Sequence, residues 1–382
     1  HAHDERREEL LQDVAVKDAG HALPLYDSRV GARGACATAM LWVLALVTPD
    51  ALARDRLDQF QEIVGRASES TVERLAPALY ALVDEEILEN MASGGVFASE
   101  AFIQERLDGF SGAWGGAHFR VRRLPGPTRS ASPGGETTIA LYSMEGLEGS
   151  GSVRVFGAGG DGAVLLRSLT HEGTPEVHEW PPAAGGSLQF AVSWVGGDLG
   201  RGGRTLRVEV WRRRAAALSR VWSTIDDAPD GLVVSDVRIT RGEIALRYEA
   251  RYPGWKPGCE GQTEHEDLYR VGPSGDGVRL VRRRVVSGWH RELWQTVTRF
   301  FDALDRRDSR VLAELVPDES VRARVPRALV PEPACEGRPQ ESPETAIIAA
   351  TEEGERRRTP WSLWWRQIPG GWRLSGAAPV LE

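Results

Sequence analysis

The sequence predicts an α+β protein with N-terminal helices, a central antiparallel β domain (sandwich or partial barrel), and a C-terminal helix-plus-curved-sheet module. Three observations carry this. Apolar residues recur at helical spacing up to about residue 112, alternate with period two from about 113 to 288, and return to helical spacing from Trp289. The turns of the middle stretch are rich in glycine, as in antiparallel hairpins rather than in alternating strands and helices. A strand-turn-strand pattern closes the chain. The expected divisions are 1–53, set apart from the fold, a helical segment 54–124, a β domain 137–288 and a module 289–382.

Residues 1–53 read as an upstream segment and an export signal. Arg29 and Arg33 precede an uncharged apolar run from Ala35 to Val47, long enough for the core of a signal peptide and short for a membrane span. Pro49 is expected to end that run, and Ala51-Leu52-Ala53 places small residues where a signal peptidase cuts, making Arg54 the first mature residue. The competing reading is a buried core helix, but such a helix is usually amphipathic and this run is apolar all round. Cys36 stands at the start of the run, whereas a lipidated cysteine would follow it. The expected location is periplasmic or secreted.

Within 54–124, Val72, Leu75, Leu79, Leu82, Val83 and Ile87 define a helix over Thr71 to Met91, with Ser70 as its cap. Ser99 opens another, carrying Phe102, Ile103, Leu107 and Phe110. Pro125 to Glu136 reads as a linker. In the β domain, Leu188, Phe190, Val192 and Trp194 alternate, and after the glycine-rich residues 196–203 so do Leu206, Val208 and Val210, predicting a hairpin. Thr240-Arg241-Gly242 joins a second strand pair, and residues 272–277 join a third. Beyond Trp289, the residues Leu293, Trp294, Val297, Phe300, Phe301 and Leu304 form one helical face. A short helix over Val311 to Val316 follows, then two strands around Pro369-Gly370-Gly371.

The last quarter, with Phe-Phe-Asp-Ala-Leu at 300–304, a polar turn, a short helix and a hairpin ending Gly-Gly-Trp-Arg-Leu, resembles the NTF2-like (SnoaL-like, cystatin-related) family. The resemblance implies a helix wrapped by a curved sheet, often around a small-molecule pocket, and in many extracytoplasmic members a role in assembly alone. A proline-rich insertion at about 326–343 stands where the family places strands, and the family's usual pocket Asp and His have no counterpart here.

The full chain has 47 basic and 55 acidic residues; beyond Ala53 these become 42 and 47, a net charge of −5 that argues against a nucleic-acid binder. Only Cys259 and Cys335 follow the leader, and in an oxidising compartment the pair reads as a disulfide. Two unpaired thiols, or a metal site with His265, are the competing readings; the spacing lacks the close pairs of structural zinc sites.

The richest polar stretch runs from Tyr252 through Cys259 to Asp267. Glu264, His265 and Asp267 there have the chemistry to bind a cation or act as acid and base, against the reading of a pinned loop with solvated charges. Trp255, Trp361 and Trp365 are candidate ligand contacts, with Trp364 on the opposite face of its strand from the last two. Asp84, Glu85, Glu86 and Glu89 read as a solvated acidic helix face, His171 and His178 as loop histidines, and the arginine triplets at 212–214, 282–284 and 356–358 as solvated strand ends. No Ser-His-Asp or Cys-His motif is legible. The expectation is an exported cell-envelope protein of binding or assembly type, without cofactor or metal. Its partner would be an envelope protein, a glycan or a small apolar ligand. The alternative is a hydrolase or metal-dependent enzyme using 259–267.

Overall fold

The computed structural model describes residues 49–382 except 67–71, 126–135, 145–149, 160–161, 184–185, 201, 215–216, 260, 273–274, 276, 334–341, 355–357 and 381–382. The apolar run Ala35 to Val47, Ser70 and Cys335 lie outside the described residues. The described chain is α+β, with its strands in three antiparallel sheets.

Three helices open it: α1 (Pro49–Arg66), α2 (Val72–Ser93) and α3 (Glu100–Ala113). Pro49 stands at the first position of α1, where the missing proline N–H costs no bond, and Ala51 to Ala53 lie within that helix; the run that Pro49 was expected to end lies outside the described residues. Ser99 caps α3 by accepting from the Phe102 amide at 3.3 Å. Residues 117–124, read with period two although grouped with the helical segment 54–124, form the first strand.

The first sheet is a meander of β1 (Ala117–Leu124), β2 (Thr137–Met144), β3 (Ser150–Gly159) and β4 (Gly162–Glu172). One face packs on the helices, with Phe119, Tyr142 and Phe156 meeting Phe60, Leu79, Ile87 and Phe110. The other carries Ile139, Val153, Val155 and Leu169 against Val177, Phe190, Val192, Trp194 and Trp211 of the second sheet. Alternation makes this double burial possible, since odd and even residues of a strand serve opposite faces.

The second sheet contains β5 (Thr174–Glu179), β6 (Gln189–Asp198), β7 (Arg204–Arg214), β8 (Ala217–Ser223), β9 (Leu232–Thr240), β10 (Glu243–Glu249), β11 (Glu264–Val271) and β12 (Val278–Val286). A four-residue helix, α4 (Thr224–Asp227), follows β8. The order is β12-β11-β10-β9-β7-β6-β5, with β8 sharing the free edge of β7 beside β9. All three predicted hairpins are present, as β6 with β7, β9 with β10 and β11 with β12. The face turned away from the first sheet has its own core of Leu206, Val208, Val210, Trp222, Leu232, Val234, Ile244, Leu246 and Tyr269, joined by Trp180 from beyond β5. The β5–β6 connection thus reaches strands far from it in the sheet order. Gln189 and Arg212 reinforce this by donating to the Gly275 carbonyl between β11 and β12, at 2.9 and 3.0 Å.

The C-terminal part contains α5 (Gly288–Arg306), α6 (Ser309–Leu315) and α7 (Glu319–Arg324). They precede a sheet ordered β13 (Leu329–Glu332), β14 (Thr345–Glu353), β15 (Arg358–Ile368), β16 (Gly371–Pro379). The predicted apolar face of α5 is buried on this sheet, Leu293, Trp294, Val297 and Phe300 against Ile348, Leu363, Trp365, Trp372 and Leu374. Each such side chain contributes roughly 1.5–3 kcal/mol when fully buried. The sheet has four strands where two were expected: β14 pairs β15, and β13, which contains Pro331, adds at the edge where a proline is tolerated. Among the described residues no helix is long and apolar enough to cross a membrane.

Candidate functional site

Residues 264–267, expected in a loop, belong to β11, and strand alternation splits them. His265 and Asp267 share a face with their β10 partners Tyr248 and Leu246, while Glu264 lies on the other. There Glu264 accepts from Ser235 Oγ at 3.0 Å and Arg247 Nε at 2.6 Å. The three expected ligands therefore do not converge.

The face shared by His265 and Asp267 is nevertheless a dense polar site. The Asp267 carboxylate, fully buried, accepts from Arg283 Nε at 2.8 Å and Nη2 at 2.7 Å, from the Tyr248 hydroxyl at 2.9 Å and from the Tyr269 hydroxyl at 3.3 Å. Arg283 is opposite Asp267 in the register of β11 and β12, which is why its fork meets both oxygens. Burial, and then the Asp267 charge, hold both tyrosines well above the usual phenol range. The Asp267 hydrogen bonds hold the Arg283 guanidinium more firmly protonated than usual. His265, with Nδ1 3.3 Å from the Tyr248 hydroxyl, is held below its ordinary value by burial and then by the Arg283 charge. The site is thus the Arg283–Asp267 pair wrapped by two phenols, with the His265 imidazole held towards its neutral form.

Ahead of β11, residues 250–263 form a loop tied down from within. Glu249 accepts from Trp255 Nε1 at 2.8 Å and the Gly258 amide at 2.9 Å. Burial raises the Glu249 carboxyl, these donors opposing it. Trp255 is thereby a structural pin, with the Arg251 guanidinium 5.0 Å from its ring centre. The Tyr252 hydroxyl accepts from the Thr263 amide at 3.1 Å and donates to His290 Nδ1 at 2.7 Å, while Thr263 Oγ1 donates to the Ser287 carbonyl at 2.8 Å. Burial holds His290 down at about 4. Cys259 is buried nearby. Its expected partner Cys335 is outside the described residues.

Trp361 and Trp365 do share a face of β15, with Trp364 exposed on the other. Trp365 is packed edge-on against Phe300 inside the C-terminal core, and Trp361 donates to Glu352 at 3.1 Å. Two charged groups read as solvated are buried instead. Arg212 and Arg213 of β7 donate into the fold, Arg213 to the Glu136 carbonyl and Thr137 Oγ1, both at 2.7 Å. Asp84 takes the Tyr142 hydroxyl at 2.8 Å, and Glu86 binds Arg56 and Arg106 between the helices, so only Glu85 of that group is exposed. The two histidines occupy strands of different sheets, His178 bound to Ser193 at 2.9 Å and His171 3.5 Å from Glu209.

Glu209 is a site that sequence reading missed. It accepts from Arg207 at 2.6 Å and Trp211 Nε1 at 3.0 Å. Burial alone would raise its carboxyl, but His171 and Arg207 outweigh burial and hold it at about 2. A charged residue centred in the run Val208-Glu209-Val210 was the available signal. Among the described residues no group of three or more His, Cys, Asp and Glu is placed to hold a metal. No family model, curated protein or solved structure matches this chain.

Proposed function

We propose that the chain is an exported cell-envelope protein, periplasmic or secreted, that acts by binding or assembly. Its β domain serves as a stacked, partly rolled body, and residues 289–382 as an NTF2-like module in the assembly role. A Cys259–Cys335 disulfide staples the two together. The observation that carries this reading is the saturation of the richest polar cluster. Both Asp267 oxygens and the Arg283 fork are committed to each other and to Tyr248 and Tyr269, so that these neighbours of His265 are already engaged with one another. The enzyme alternative on 259–267 needs Glu264 to converge with His265 and Asp267, and the alternation of β11 separates them.

Cross-linking in intact cells, followed by recovery of the tagged full chain, tests the proposal. A discrete stoichiometric complex that persists in His265→Ala supports binding. Turnover of ester, glycoside or phosphoester model substrates, abolished by His265→Ala with the fold intact, would replace it by the enzyme reading.

A further inference from the structure

The second sheet ends in two unlike edges. At β5, six residues long, Arg122 reaches across to the Val177 carbonyl at 3.3 Å and to Glu179 at 2.9 Å. At β12, nine residues long, no strand among the described residues pairs the outer side, and Arg279 to Val285 are all exposed. An open edge of this length offers a row of backbone donors and acceptors to an added strand.

The side chains of β12 say what kind of strand fits. Its register with β11 places Leu280 opposite Tyr269, Arg283 opposite Asp267 and Val285 opposite His265 on one face. Arg279, Arg282 and Arg284 oppose Arg270, Leu268 and Glu266 on the other, with the extra residue Val281 at a bulge. Leu280, Val281 and Val285 are 41%, 43% and 44% exposed, so apolar side chains stand open to solvent along this strand. Arg283 and Arg284 are paired with Asp267 and Glu266, but Arg279 and Arg282 have no acidic partner among the described residues. One face is thus apolar around a neutralised arginine, and the other carries unbalanced positive charge. A second copy of β12 would bring four arginines from each chain into one ribbon, which like-charge repulsion opposes.

We infer that β12 is a docking edge for an extended acidic segment of a partner protein. That segment would add a strand, with apolar residues over Leu280 and Val285 and carboxylates over Arg279, Arg282 and Arg284. This rests on the binding reading above and gives it a surface and a partner. Bulge and arginines discourage unselected strands and favour an acidic one, so the same features supply selectivity.

The test uses the full chain and labelled nine-residue peptides alternating valine with glutamate, with lysine, or with glutamate plus N-methylation of alternate amides, followed by fluorescence anisotropy. The glutamate peptide is expected to bind at least about tenfold tighter than the lysine peptide, and N-methylation on the edge-facing side to cost about tenfold. The exposed double variant Arg279→Glu/Arg282→Glu is expected to invert the charge preference. Equal binding of methylated and unmethylated peptides, or no binding of any, overturns the inference; so does a dimer that the double variant dissolves and the glutamate peptide does not. If the cellular complex survives the double variant, the edge proposal falls and the binding reading stands. If no complex forms with the unaltered chain either, the binding reading falls as well.

Discussion

At the scale of single residues, the fold is defined by carboxylates placed where apolar side chains would be simpler. Removing one partner of a buried ion pair leaves the other uncompensated and typically costs 3–5 kcal/mol. Arg283 is 41% exposed and water can relieve it, so Asp267→Ala is expected near the lower end, about 3 kcal/mol, in urea unfolding. Tyr269→Phe deletes one 3.3 Å hydrogen bond and should cost about 1 kcal/mol or less. Glu209 makes a different prediction. A carboxyl held at about 2 against an ordinary 4.5 stabilises the fold above pH 4.5 and loses that contribution as pH falls from 4.5 to 2. The amount is on the order of 3 kcal/mol. Glu209→Gln should flatten this part of the stability curve; an unchanged slope would show that the Arg207 and His171 contacts are not what holds the charge.

At the scale of elements, the loop 250–263 locks β10 and β11 to α5. Gly254 has a left-handed φ of 84°, and a Cβ there would overlap the Trp294 ring of the helix. Gly254→Ala is therefore expected to destabilise by about 2 kcal/mol or more, read as a lowered melting temperature. His290 sits at the same junction, held at about 4 against an ordinary 6.5. The unfolded chain protonates first, so stability should fall as pH drops from 6.5 towards 4, and His290→Gln should remove that loss. Much at this scale was legible, because hairpins such as β6–β7 and β9–β10 announce themselves through alternation between glycine turns, and the face of α5 through its spacing. Alternation also assigned Trp361, Trp364 and Trp365 to their faces. What escaped was contact between distant elements. Nothing local tells that Arg212 and Arg213 turn inward, that Asp84 meets Tyr142 of another layer, or that Arg283 answers Asp267. Such pairs depend on register and stacking, which the sequence does not display one segment at a time. The loop expected at 264–267 failed for a related reason. Charged residues mark a partly exposed, ion-paired strand face as readily as a turn, and Glu264 and Glu266 occupy such a face, paired with Arg247 and Arg284.

At the scale of the whole molecule, the described residues place the first sheet between helices on one side and the second sheet on the other, and the free face of the second sheet carries a core of its own. Among the described residues β12 ends the second sheet with its outer side unpaired, and Arg283 of the proposed binding surface is also the ion-pair partner of Asp267 on β11. A Cys259–Cys335 bridge would restrain the unfolded chain by on the order of 4 kcal/mol in the chain-entropy picture, so reductant is expected to lower stability by up to that amount. The proposed envelope role depends most on the chain being exported. Intact mass spectrometry of protein recovered from the periplasm of an expressing host, with and without reduction and alkylation, measures this directly. A mature chain beginning at Arg54, lighter by about two hydrogens than its reduced form, is the predicted result. An uncleaved chain retained in the cytoplasm with both thiols free would contradict the compartment, the staple and the envelope role together.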